Sequence, residues 1–226
     1  MFTDSLIPAN EIMTRYIAPV GLTALLRPSK PGQSVDSFWI GSQGDPGIAL
    51  FASALDAEIY RVHALTAGNE WERRPLEQIG FQYTVAKLGQ AWTNLVFGFN
   101  ANSRAELVLG KSGCCLLPYY PECFGPLEEP AEPTIFEFPD HVFRTMIHRW
   151  TLLGEPNHAD TITKINALGT TRAGAVELRE IADRALKQAR FGPVGEPSQE
   201  LTDYATFNPT TSTWRFGPNE SREVLH

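Results

Sequence analysis

The stretch IALFASALDAEIYRVHAL, residues 48–65, decides the fold. It opens on the short apolar run Ile48 to Phe51, then reaches Ser53, a residue suited to capping a helix N-terminus. Asp56 follows three residues on, in the capping-box position. Leu55, Ile59 and Val62 recur at helical spacing, and Gly68 ends the run. The stretch therefore predicts strand, tight turn and amphipathic helix. Immediately upstream, Ser37-Phe-Trp-Ile40 is separated from Ile48 by a Gly/Asp/Pro-rich loop, which predicts a hairpin of 37–40 with 48–51.

Working outward, residues 10–17 predict a short helix, followed by extended chain. Val85, Leu88, Trp92, Leu95, Val96 and Phe99 share one helical face and predict a second helix over 83–97. Gly89 and Gly98 count against it, and a strand over 93–100 is the alternative. Residues 106–109 and 114–117 flank Gly-Lys-Ser-Gly, which predicts a second hairpin.

Pro139 and Asp140 open a helix with the stripe Phe143, Met146, Ile147 and Trp150. Residues 158–168 allow another. The clearest amphipathic pattern is 175–191, with Leu178, Ile181, Ala182, Ala185, Leu186 and Ala189 on one face. Its other face offers pairs from Glu180 to Arg184 and from Asp183 to Lys187. Residues 193–226 hold Tyr204, Phe207, Trp214 and Phe216, so they are expected to lie back over a single domain of residues 1–192. Strands first and helices later predict an α+β fold. Its sheet is mixed or antiparallel, its helices pack on one side, and its C-terminal part is helical.

The net charge is −7 over 226 residues, and it is uneven. Residues 112–143 carry six acids and no Lys or Arg, whereas 144–192 carry a net +3. That balance argues against nucleic acid or an anionic membrane as partner, because phosphate needs Lys and Arg to neutralise it. No apolar run reaches the roughly 20 residues of a membrane span. The N-terminal residues lack a basic then apolar leader pattern. With three cysteines, two of them adjacent, a disulfide framework is a poor fit and the cytoplasm is the expected compartment.

Familiar motifs fail on inspection. Gly110-Lys111-Ser112 lacks the early glycine with which a phosphate loop wraps its ligand. Gly41, Gly44 and Gly47 are interrupted by Asp45-Pro46 and read as a turn. Cys114, Cys115 and Cys123 lack zinc-site spacing and read as buried thiols. A nucleophilic cysteine would need a base, and neither His63, His141, His148 nor His158 is selected by spacing. The histidines are expected at the surface or in caps. Neither a metal nor a cofactor is expected, and no catalytic residue is assigned.

The most distinctive segment is 118–140, with six prolines and six acids. Proline excludes helix and central strand, so the segment reads as stiff and extended. One reading is a surface crossover loop between a sheet and a helix, acidic for solubility. In the other, its acids (Glu122, Glu128, Glu129, Glu132, Glu137, Asp140) and its aromatics (Tyr119, Tyr120, Phe124, Phe136) form the candidate partner-binding set. Acids steer a basic partner and aromatics anchor in pockets.

The runs FWIGSQGDPGIALFASALDAEIYRVHAL and AELVLGKSGCCLLPY resemble a pattern found among SseB-like proteins and the bacterial immunity proteins that guard against secreted toxins. That resemblance implies a cytoplasmic α+β protein that binds a cognate toxin or effector and blocks its site. The expectation is thus a non-enzymatic binding protein with a basic protein partner. The alternatives are a small cysteine-dependent hydrolase or transferase using Cys114 or Cys115, and a scaffold that assembles with itself. The sequence leaves the oligomeric state open.

Overall fold

The computed structural model describes residues 15–27, 36–41, 46–79, 91–124, 135–195 and 201–218. The decisive stretch forms as expected. Gly47–Phe51 is strand β4, buried throughout, and Ala54–Thr66 is helix α1. Ser53 caps α1, its Oγ accepting the Asp56 N–H at 3.3 Å. The capping box is only half made, because the Asp56 carboxylate accepts the Gly98 N–H at 3.0 Å instead.

The full set of strands is β1 (Arg15–Ile17), β2 (Thr23–Leu26), β3 (Trp39–Ile40), β4, β5 (Glu72–Pro75), β6 (Ala91–Val96), β7 (Phe99–Ala101), β8 (Leu107–Leu109), β9 (Tyr119–Phe124), β10 (Ile135–Glu137), β11 (Phe191–Val194), β12 (Asp203–Asn208) and β13 (Thr213–Pro218). The later helices are α2 (Asp140–Leu152), α3 (His158–Leu168) and α4 (Arg172–Gln188).

The first sheet runs β5-β2-β4-β6-β9, with β3 pairing the free half of β4. Only β4 and β6 are parallel within it, with Leu50 opposite Leu95. The expected hairpin is present, Trp39 facing Ile48 and Ile40 facing Gly47. Along β4 the pleat sends Ala49 and Phe51 to one core and Ile48 and Leu50 to another. Both faces are therefore covered, which explains the unbroken apolar run. α1 and α4 fill the first core, where Leu178, Ile181, Ala182 and Ala185 meet Leu55 and Ile59. α2 fills the second with Val142, Phe143, Met146 and Trp150, so helices cover both faces of this sheet and not the single side expected. Ile147, expected in that stripe, is exposed, and Val142 takes its place.

The second sheet runs β11-β8-β7-β12-β13. It joins the first through β6 and β7, separated by Phe97 and Gly98. The hairpin of 106–109 with 114–117 forms around Gly113, with Leu109 bridging Cys115. Residues 203–218 build β12 and β13, and β12 lies between β7 and β13 with Tyr204, Ala205 and Phe207 fully covered. Trp214 locks this hairpin onto α4 by donating its Nε1–H to the Ala185 carbonyl at 2.9 Å. The mixed sheets and the helices of the C-terminal half together make the α+β class plain.

Two segments expected to be helical contain strands instead. Residues 91–96 are strand, not the end of a helix over 83–97, whose earlier part lies outside the described residues. β6 sits between β4 and β9, so Leu95 and Val96 are both buried and mimic a helical face. Likewise Arg15–Ile17, read as the end of a helix over 10–17, is a strand parallel to β10; the rest lies outside the described residues. On α4 the pair that forms is Arg179 with Asp183 at 3.2 Å.

One side chain ties the layers at the start of α1. Asn166 of α3 donates to the carbonyls of Gly21 at 2.8 Å and Ala52 at 3.0 Å, and its Oδ1 accepts the Ala54 N–H at 2.7 Å. Asn166→Ala strands three backbone groups, so an expected loss of about 2–3 kcal/mol follows from unmade hydrogen bonds. Urea unfolding checks it. A loss below about 0.5 kcal/mol would mean that water replaces the amide at no cost.

Candidate functional site

The acid-rich segment lies at the edge of the first sheet. β9 is the last strand there, antiparallel to β6, with Tyr119 opposite Val96 and Phe124 opposite Ala91. An edge is where a strand tolerates a proline, and Pro121 sits opposite Asn94. Alternation sends the two tyrosines to opposite faces. Tyr119 is half-buried against the core beneath α1. Tyr120 stacks on Phe97 at 5.2 Å, and the Arg149 guanidinium lies over its ring at 5.3 Å. Both rings are thus half-buried in the protein's own packing. Glu122 is half-buried opposite Thr93; burial pushes its carboxyl above the usual range while His141, in the first turn of α2, pulls it down. The Arg149 contact with Tyr120 places α2 beside β9.

Glu137 and Asp140 are exposed, one ending β10 and the other opening α2. Phe136 pairs in register with Tyr16 of β1. Glu128, Glu129 and Glu132 lie outside the described residues. On β9 the described carboxylate is Glu122, and the Arg149 guanidinium lies over Tyr120 of the same strand, while Glu137 and Asp140 belong to β10 and to the first turn of α2.

Beside Tyr119 a cavity of about 380 Å³ opens between β3, α1 and the loop before β9. Phe38, Ile40, Tyr60, Cys114 and Cys115 share its wall with Tyr119. Both thiols are buried, and the Asn69 Nδ2–H points at the Cys114 sulfur at 3.6 Å. Burial pushes the Cys115 thiol upward, the wrong direction for a thiolate nucleophile. His63 donates from Nε2 to the Gly113 carbonyl at 3.1 Å and stacks on Phe191. Burial holds that imidazole below its ordinary value. The cavity wall is mainly apolar. Cys123, expected to be buried with the other two, is exposed on β9.

His158 is not at the surface as expected but covered at the start of α3, its Nε2 3.3 Å from the Thr206 hydroxyl.

A third feature is assembled by the tertiary fold. Between α1, β5 and the first half of α4 lies a groove of about 450 Å³ that collects Arg61, Arg73, Arg172 and Arg179. At its base Glu58 is buried and accepts from Arg61 at 2.9 and 2.6 Å, with Arg73 Nε 3.6 Å away. The one local hint is a Glu58 to Arg61 pair on a helix otherwise rich in buried residues.

Among the described residues no group of three or more His, Cys, Asp or Glu is placed to hold a metal ion, and no helix is long and apolar enough to cross a membrane. Comparison with known proteins gives no match among family models, curated proteins or solved structures.

Proposed function

We propose that this chain is a binding protein that docks a basic protein partner on the acidic edge of its first sheet and acts by covering the partner's working surface. The observation that carries the reading is the position of β9: an edge strand leading out of a 32-residue stretch that holds six acids and no base. Such an edge attracts a basic surface over a distance and fixes its register. The cavity beside Tyr119 gives the same edge a place for one apolar side chain of the partner. Occlusion by an acidic protein is also how an immunity protein neutralises a toxin or effector, as the resemblance in residues 38–65 and 105–119 implies. The partner in that case is the cognate toxin.

Affinity capture from the native host at low and high salt identifies the partner, and charge reversal then tests the surface. Glu137→Lys with Asp140→Lys is expected to slow association about tenfold at low salt, because rim charges act mainly on encounter. The triple change Glu128→Lys, Glu129→Lys, Glu132→Lys is expected to act in the same direction. Association rates equal to wild type for both variants would remove the acidic edge from the interface.

A further inference from the structure

The groove between α1, β5 and α4 is built around a buried charge. The Arg73 side chain is only 8% exposed. Its Nη1 donates to the Gly169 carbonyl at 3.3 Å, while its Nε makes no hydrogen bond. A methyl group on Gly169 would fall 2.5 Å from Nη1. The bare glycine at the end of α3 is what leaves room for the guanidinium. Burying a guanidinium carries a large desolvation cost, and a single ion pair at 3.6 Å offsets little of it.

The charges along the walls are unequal in how far they are already matched. Glu58 is held bidentately by Arg61, and Glu72 pairs with Arg74. Arg179 shares its charge with Asp183. Arg172 stands at the first residue of α4, where the helix adds its own positive end. Glu180 is the remaining carboxylate on the lining. Next to these charges Ala175 and the exposed Val176 supply an apolar strip on the same wall.

We propose that this groove binds a small molecule through an oxyanion, its carboxylate or phosphate group, held between Arg73 and Arg172 with the hydrocarbon part lying along Ala175 and Val176. The volume suits a metabolite-sized ligand, and guanidinium is the side chain whose geometry matches both head groups. The site is separate from the acidic edge and stands or falls independently of it.

The test is calorimetric titration of the full chain with inorganic phosphate and with succinate, each against sodium chloride at matched ionic strength. Wild type is expected to show saturable heat with at least one of the two anions. Response to phosphate alone assigns a phosphate head group, and response to succinate alone assigns a carboxylate. Arg172→Gln, at an exposed position, is expected to weaken binding about tenfold, in line with loss of one charge-assisted contact. Glu180→Gln removes the opposing charge and is expected to tighten it a few-fold. Arg144→Gln, on α2, is expected to leave it unchanged. No saturable heat with either anion overturns the proposal, as does an equal loss in Arg172→Gln and Arg144→Gln.

Discussion

Gly98→Ala is expected to cost about 4 kcal/mol or more, the greater part of the stability of a marginal domain. Gly98 has φ +78°, a conformation that strains any L side chain. It is also the point where the chain leaves β6 for β7 and passes from one sheet to the other. A Cβ there would run into the Ala205 carbonyl oxygen and lie 2.5 Å from Tyr204 Cε2. Neither can retreat: Ala205 is paired with Phe99 across β7, and Tyr204 is fully packed. The Gly98 N–H is also the donor to Asp56, so a shift of the corner loosens α1. Gly68→Ala is the control, with the same φ and nothing within 4 Å of its Cβ. It is expected to cost about 1 kcal/mol, the conformational cost alone. Urea unfolding of both separates backbone strain from collision. If Gly98→Ala stays within about 1 kcal/mol of Gly68→Ala, the corner is softer than its contacts require.

The elements legible in the sequence are those whose cause is local. Ser53 announces α1 because a cap and an apolar period lie within one stretch of chain. α4 is legible for the same reason. β6 is ambiguous in the sequence, a helix over 83–97 with a strand over 93–100 as the alternative, because Leu95 and Val96 are buried on opposite faces of its sheet and fit a helical pattern as readily as a strand. β12 and β13 read as a covering tail because the strands they pair with, and the helix that accepts the Trp214 hydrogen bond, lie far back along the chain.

The candidate site divides along the same line. The acid content of 112–143 is a property of composition and reads directly. The direction of each ring does not. Tyr119 and Tyr120 look alike as exposed anchors until strand alternation sends one toward α1 and the other under Arg149. The arginine groove was invisible because Glu58, Arg73 and Arg172 come from three elements that only the tertiary fold brings together. Asp56 shows how a local rule can be overridden: the capping box predicts its partner at Ser53, and the fold supplies Gly98 instead.

That diversion leads to the second large effect. Asp56 is wholly buried, and burial raises its carboxyl from 3.8 to about 7 although the Gly98 N–H favours the ionised form. The Tyr204 hydroxyl of β12 interacts electrostatically with it, and the Arg149 guanidinium of α2 lies over the Tyr204 ring. The folded state keeps a proton that the unfolded chain releases, so stability falls as pH rises from about 4 to about 7, by about 4 kcal/mol in all. His158 has the opposite sign. Burial lowers its imidazole from 6.5 to about 4 against the pull of Glu155, so stability falls as pH drops through that interval, by about 3 kcal/mol. The two windows overlap almost completely, and their slopes nearly cancel between about pH 4 and pH 6.5. The wild-type profile hides both groups.

Asp56→Asn removes only the arm that falls with pH. Its amide oxygen can still accept from Gly98, while its amide protons need a partner in place of the carboxyl proton. The variant is therefore expected to gain about 2 kcal/mol over wild type at pH 8 and to lose that advantage by pH 4.5. Unfolding free energies in urea at pH 4.5, 6, 7 and 8 check it, read as differences from wild type so that Glu122 and Glu155 drop out. A pH-independent difference would mean that Asp56 is ionised throughout, with Arg149 or solvent reaching it. A difference that grows with pH would establish a proton held between α1 and the corner of the two sheets, released near neutrality. The same proton would then couple pH to the Gly98 turn on which both sheets depend.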